Sequence, residues 1–143
     1  MLVSNILKSK GDGVHTATPE MAVSEAAGIL GARKIGALIV TSAEGRVAGV
    51  LSERDIVRAL GERGADCLSD KVGDMMTPDP VCAALGDTDA QLLERMTEGR
   101  FRHMPVLEEG RLVGIVTLGD VVKARLSELA LENESMQGMI MGR

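Results

Sequence analysis

The stretch "GVLSERDIV", Gly49 to Val57, returns later in the chain as "GIVTLGDVV", Gly114 to Val122. Outward from this pair the similarity spreads. "IGALIVTSAEGRVAGVLSERDIVRAL" aligns with "FRHMPVLEEGRLVGIVTLGDVVKARL" after one gap in the turn, and "VHTATP" aligns with "VCAALG". Self-similarity over such a length marks a duplicated supersecondary unit. A chain of 143 residues has the size of one compact domain, so the expectation is a single domain with an internal repeat.

Within a unit the periodicities change in a fixed order. A short strand at Val14 to Ala17 precedes Ser24 to Arg33, where Val23, Ala26, Ala27 and Leu30 recur at helical spacing. Apolar runs at Ala37 to Val40 and Val47 to Leu51 flank the polar turn "SAEG" and predict a hairpin. A helix from Glu53 to Leu60 follows, closed by Gly61. The second half repeats the order as Val81 to Ala84, Asp89 to Glu98, Met104 to Leu107, Leu112 to Val116, and Leu118 onward. The fold class expected is therefore α+β, with the order βαββα written twice. The connecting "GERGADCLSDKVGDMMTPDP" is rich in glycine, proline and acids and reads as a linker into the second unit. The expected division is a first repeat over residues 1–64, a linker over 65–71, a second repeat over 72–126 and a helical tail over 127–143.

Composition narrows the function. Phe101 is the sole aromatic residue, so the core must be built from Val, Leu, Ile, Ala and Met. The net charge of −5 argues against nonspecific binding to nucleic acid or an anionic membrane, so neither is expected as a partner. No segment has the apolar length of a signal peptide or a membrane span, and the chain is expected to be soluble and cytoplasmic. Cys67 and Cys82 make neither a CxxC pair nor a disulfide framework; one core thiol and one half-buried thiol are expected.

The repeated motif allows two readings of its own. Ser52 with Asp55, and Thr117 with Asp120, have the spacing of capping boxes, in which hydroxyl and carboxylate satisfy the free amides of a helix start. The same helix starts follow a strand ending in glycine, apolar, any residue, and such an end also attracts phosphate.

The repeats resemble the paired cystathionine-β-synthase (CBS) domains, also called a Bateman module, over about Val3 to Leu126. The most specific elements are "VGDMMTPDPV", "RHMPV" and the pattern glycine, apolar, any, Ser or Thr, any, any, Asp closing each unit. "SERDIV" and "IGALIV" are similar to the small standalone members. The resemblance implies that the units pack about a pseudo-twofold axis and leave two clefts for adenosine nucleotides. A hydroxyl at Ser52 or Thr117 then donates to phosphate, and Asp55 or Asp120 accepts from the vicinal hydroxyls of a ribose. It further implies that adenine reads backbone groups at Thr16 and Ala17, or at Ala83 and Ala84. Arg102 and His103 match phosphate-contacting positions, with Ile35 and Gly36 in the equivalent place of the first unit. Arg54 lies inside the first motif where Gly119 stands in the second, which makes the sites unequal. Arg33, Lys34 and Arg100 fit a solvated surface as well as a ligand role, and His103 fits a ligand contact or a partly buried polar group.

No nucleophile with a base, paired carboxylates or metal set emerges, so no catalytic residue is assigned and no cofactor is expected beyond a regulatory adenosine nucleotide. In the tail, Val122, Leu126, Leu129, Asn133, Met136 and Ile140 alternate at spacings of four and three. This is either a heptad seam or a helix folded back on its own domain. The reading is a non-catalytic regulatory module that takes AMP, ADP, ATP, NAD or S-adenosylmethionine, forms a homodimer by stacking, and acts on an unidentified partner protein. The alternative is an interaction module whose clefts are only structural, for instance in control of a redox partner.

Overall fold

The computed structural model describes residues 1–11 and 13–140, without the side chains of residues 137, 139 and 140. A short helix, α1 (Val3–Lys10), leads into β1 (Thr16–Ala17), α2 (Val23–Arg33), the hairpin β2 (Ala37–Thr41) and β3 (Val47–Ser52), and α3 (Glu53–Arg63). A 3-10 turn (Gly64–Ser69), α4 (Val72–Met75) and β4 (Thr77–Pro78) connect the halves. The second half is β5 (Ala83–Ala84), α5 (Asp89–Gly99), the hairpin β6 (His103–Glu108) and β7 (Arg111–Thr117), and the long α6 (Leu118–Ile140). The architecture is α+β, two βαββα repeats related by a pseudo-twofold axis with a C-terminal helical extension.

The hairpin turns form where the sequence places glycine: Gly45 at φ 81° and Gly110 at φ 78° take the left-handed backbone that a tight reversal needs. In each half the first strand then pairs in parallel with the first hairpin strand, Thr16 opposite Ile39 and Ala83 opposite Val106. Both helices that precede the hairpins end on a left-handed cation, Lys34 and Arg100. The antiparallel register fixes the correspondence between halves. Ala37 lies opposite Ser52 and His103 opposite Thr117, so the counterpart of His103 is Ala37. Gly36 is the counterpart of Arg102, each giving its carbonyl to the first amide of the following helix, Glu53 or Leu118. The expected pairing of Ile35 and Gly36 with Arg102 and His103 is thus corrected by one residue.

Two apolar cores result, and each contains a helix from outside its own repeat. Val3 and Ile6 of α1 are buried with Ala83, Leu92, Met104, Val106 and Val116 of the second half. Val72 of α4 is buried with Ala17, Val23, Leu38, Val40 and Leu51 of the first. The exchange is symmetric. Leu2 bridges to Thr88 just before α1, and Lys71 bridges to Ala22 just before α4. The segment whose composition suggested a linker is therefore ordered: Cys67 and Val72 are fully buried, and β4 adds a fourth strand beside β3. Polar neighbours hide these two apolar side chains from a reading by composition. A third cluster, Ala37, Ile39 and Val50 against Leu112 and Ile115, joins the two halves.

Cys67 is the core thiol and Cys82 the half-buried one; burial pushes the Cys82 thiol up from its ordinary value. The tail continues α6 without a break. Leu126, Leu129, Asn133 and Met136 are exposed, so the described part does not fold back, while the Ile140 side chain lies outside the described residues. No described helix is long and apolar enough to cross a membrane.

Candidate functional site

The two motifs begin α3 and α6, and both form full capping boxes. Asp55 N–H donates to Ser52 Oγ at 3.2 Å, and Ser52 N–H donates to Asp55 Oδ2 at 2.9 Å. The second box has the same geometry, Asp120 N–H to Thr117 Oγ1 at 3.1 Å and Thr117 N–H to Asp120 Oδ2 at 2.9 Å. Capping does not exhaust the carboxylates, because each oxygen accepts more than one bond and the other oxygen of the pair remains. Asp55 Oδ1 has Arg58 as an ion partner at 3.8 Å.

A cavity of about 1120 Å³ opens at the start of α3 and runs along α6. Ser52, Glu53, Arg54 and Asp55 form one end, and Thr77, Asp79, Pro80 and Val81 carry the chain across it. Arg100, Phe101, Arg102 and His103 form the far wall with Gly36, and Thr117 and Gly119 lie at its edge. Val122, Leu126 and Ala130 give it an apolar floor. Five permanent cations line it, Arg54, Arg58, Arg100, Arg102 and Lys123, against Glu53, Asp55 and Asp79. A concave site with an apolar floor and a net positive rim at a helix N-terminus suits an anion attached to a flat, mostly apolar body.

The structure therefore brings together Ser52, Arg54, Asp55, Gly36, Arg102, His103 and Thr117 of the residues expected from sequence. Thr16, Ala17, Ala83, Ala84, Ile35 and Asp120 are not among the residues lining this cavity. Thr16 and Ala84 are exposed at the ends of their strands, Ala17 and Ala83 are buried, and Ile35 packs against the first core. Sequence reading missed Arg58, Asp79, Val81 and Lys123. Arg58 was detectable, since it stands one turn beyond Arg54 on the same helix; Asp79 and Val81 reach the site only through the crossing of the connecting segment.

Asp120 is engaged elsewhere. Lys10 Nζ donates to Asp120 Oδ2 at 2.7 Å and to the Ile115 carbonyl at 2.8 Å. Burial pushes the Asp120 carboxyl up, but Lys10 and the Thr117 amide outweigh it and hold the group below the usual carboxylate range. His103 stands between the motifs. Burial pushes its imidazole below the ordinary value, with Glu53 and Asp120 acting in the opposite sense and Lys10 and Arg102 reinforcing the fall. Among the described residues no group of three or more His, Cys, Asp or Glu is placed to hold a metal ion.

A duplicated βαββα unit, a capped motif helix in each half and a basic cleft between the halves define a tandem-repeat module. The CBS domain family profile matches residues 4–62 and 72–127, and the chain belongs to that family. It is 30% identical over 148 residues to a mitochondrial CBS domain-containing protein of Arabidopsis thaliana, covering 98% of this chain and 72% of the relative. Its structure is similar to that of a CBS-domain containing protein from Agrobacterium tumefaciens, at 49% identity and a TM-score of 0.84, covering 87% of this chain and 99% of the other. A CBS domain protein from Pyrobaculum aerophilum complexed with AMP is also similar, at 26% identity and a TM-score of 0.79, covering 92% and 99%.

Proposed function

We propose that the chain is a non-catalytic regulatory module that binds a phosphorylated adenosine ligand in the cleft beside Asp55. The observation that carries this reading is the meeting of Ser52 and Asp55 at the start of α3 with Arg54, Arg58, Arg100, Arg102 and Lys123 around one cavity. Asp55 accepts the ribose hydroxyls, the cations and the Ser52 hydroxyl hold phosphate, and the base lies against Val81 and the apolar floor. The AMP complex of the Pyrobaculum protein supports an adenosine ligand for this architecture. The cation excess favours a phosphorylated ligand over S-adenosylmethionine, which carries positive charge itself.

The module forms a homodimer in this reading and passes a ligand-dependent change of shape to a partner protein. Val57 and Leu60 on α3 and Leu126 and Leu129 on α6 are exposed large apolar residues, a feature of surfaces that associate. A second reading, an interaction module with clefts that serve only the fold, draws on the completeness of both capping boxes. Mass spectrometry of the small molecule that copurifies with the protein, followed by melting with AMP and ATP, decides between them. An adenosine nucleotide that copurifies and raises the melting temperature supports the first; no copurifying ligand and no thermal shift support the second.

A further inference from the structure

We propose that Lys10 is an internal competitor for Asp120, so that the chain takes its first adenosine ligand beside Asp55 and a second beside Asp120 only by displacing Lys10. The inference rests on the nucleotide reading above and concerns how the two clefts differ. Val3 and Val72 hold equivalent places, each opening a helix buried in the opposite half. Counting on equally from both, Leu7 and Met76 coincide: a Cβ at Gly114 would meet Leu7 at 2.7 Å, and one at Gly49 would meet Met76 Sδ at 2.5 Å. Beyond this point the halves diverge, because α1 stays helical to Lys10 while α4 ends at Met75 and Asp79 follows β4. Asp79 lines the cavity beside Asp55 without an ion pair among the described contacts, and Lys10 sits on the carboxylate of the second motif at 2.7 Å.

The two motif carboxylates thus have different neighbours, Lys10 at Asp120 and the exposed Arg58 at Asp55. Lys10 is delivered by a fixed helix, because Val3 and Ile6 anchor α1 in the second core. Its ammonium also donates to the Ile115 carbonyl, which directs it across the mouth of the Thr117–Asp120 turn. A ribose that takes its hydrogen bonds from Asp120 must compete with this charge-assisted pair. Among the described residues the cation nearest Asp55 is Arg58, at 3.8 Å on an exposed side chain, a weaker competitor for a ribose.

The test is calorimetric titration of AMP into the intact chain and into Lys10→Met, which keeps the length and apolar stem of the side chain. The weaker step, or a second equivalent absent from the wild type, is expected to appear about tenfold tighter or more in the variant, the effect of removing one charge-assisted competitor. The stronger step is expected to change less, by no more than about threefold, since Lys10 is not among the residues lining the cavity beside Asp55 and reaches it only through the charge it presents to His103. A weaker step that is unchanged, loosened or still absent in Lys10→Met overturns the proposal. If neither protein binds AMP, the nucleotide reading fails, and the Lys10 contact is judged by NMR titration of the Asp120 carboxyl. That group should titrate below the ordinary range in the wild type and move back toward it in Lys10→Met; the same titration in both proteins overturns the proposal.

Discussion

Gly36 lies directly against the imidazole of His103: a methyl group at Gly36 would stand 3.1 Å from Nε2. The contact spans the two halves at the wall of the cavity, and the φ of Gly36 is one that other residues adopt. Gly36→Ala should therefore fold, with a stability loss of about 1 kcal/mol or less from mild overpacking. The imidazole must retreat by a few tenths of an ångström, and AMP affinity should fall severalfold. Calorimetry on the folded variant checks both; full affinity would remove His103 from the ligand site.

Asp55→Asn separates capping from ligand binding. Asparagine retains a carbonyl acceptor for the Ser52 amide, so stability without ligand should fall by less than about 1 kcal/mol. Loss of the charged acceptor for a ribose should weaken AMP by about ten- to a hundredfold, from about 1.5 to 3 kcal/mol of a hydrogen bond to a charged group. The wild type should also discriminate against 2′-deoxy-AMP. A variant that melts far lower yet binds AMP as before would mean that Asp55 serves only the helix.

The five cations around the cavity predict a graded response to phosphate. Affinity should rise from adenosine to AMP to ATP and fall with added salt, because part of the attraction is screened within about 10 Å at 0.1 M ionic strength. Arg102→Gln should flatten that series while leaving adenosine itself little changed. Equal affinities for adenosine and ATP would contradict a phosphate-binding role for the basic rim.

Stability should depend on pH through His103 and Asp120, each held below its ordinary value in the folded chain. The unfolded imidazole takes up a proton near the ordinary value of 6.5, before the folded ring does. The contribution of His103 is therefore fully present above that value and is lost as pH falls through the lowered folded one. For Asp120 the loss begins below the ordinary carboxylate value of 3.8 and is complete beneath its own folded value. Chemical denaturation of wild type, His103→Asn and Asp120→Asn across pH 3 to 8 checks this, with each variant lacking the slope in its own window.

Ile6 tests the exchanged helix. It is 5% exposed in the second core although it stands at the opposite end of the sequence from β7. Ile6→Ala should cost about 2 to 4 kcal/mol, the range for a buried aliphatic truncation. A loss below about 0.5 kcal/mol, read from denaturant midpoints, would mean that α1 is only loosely seated.

The duplicated hairpins and motif helices are legible in the sequence because their signals are local. Alternating aliphatic runs around Gly45 and Gly110, and hydroxyl and acid three residues apart at Ser52 and Thr117, each state their structure within a few positions. Ser52, Arg54, Asp55, Arg102 and His103 can each be named from the repeat, but that Arg102 and His103 of the second unit line one cavity with the motif of the first is visible only in the fold. The places of Asp79 and Lys10 are not legible, since one depends on which half α4 enters ahead of it and the other on which half α1 enters. That choice is made by Val3 and Val72 burying in distant partners, and no short-range periodicity encodes it. The match of Ala37 with His103 is legible, since it follows from laying "IGALIV" on "FRHMPV", and the strand registers agree with it.

The exchange of α1 and α4 has a mechanical consequence. Each half holds a peg whose socket belongs to the other, so a cut in the connecting turn severs the backbone without freeing either body. A lone half would keep an empty socket and an unhoused peg, and two such fragments mixed together have a ready means of reassembly. In the intact chain the pegs also gear the halves. Any rotation that a ligand imposes near Asp55 draws on α4 and the strand behind it, and any movement of Lys10 draws on α1, so neither core turns alone.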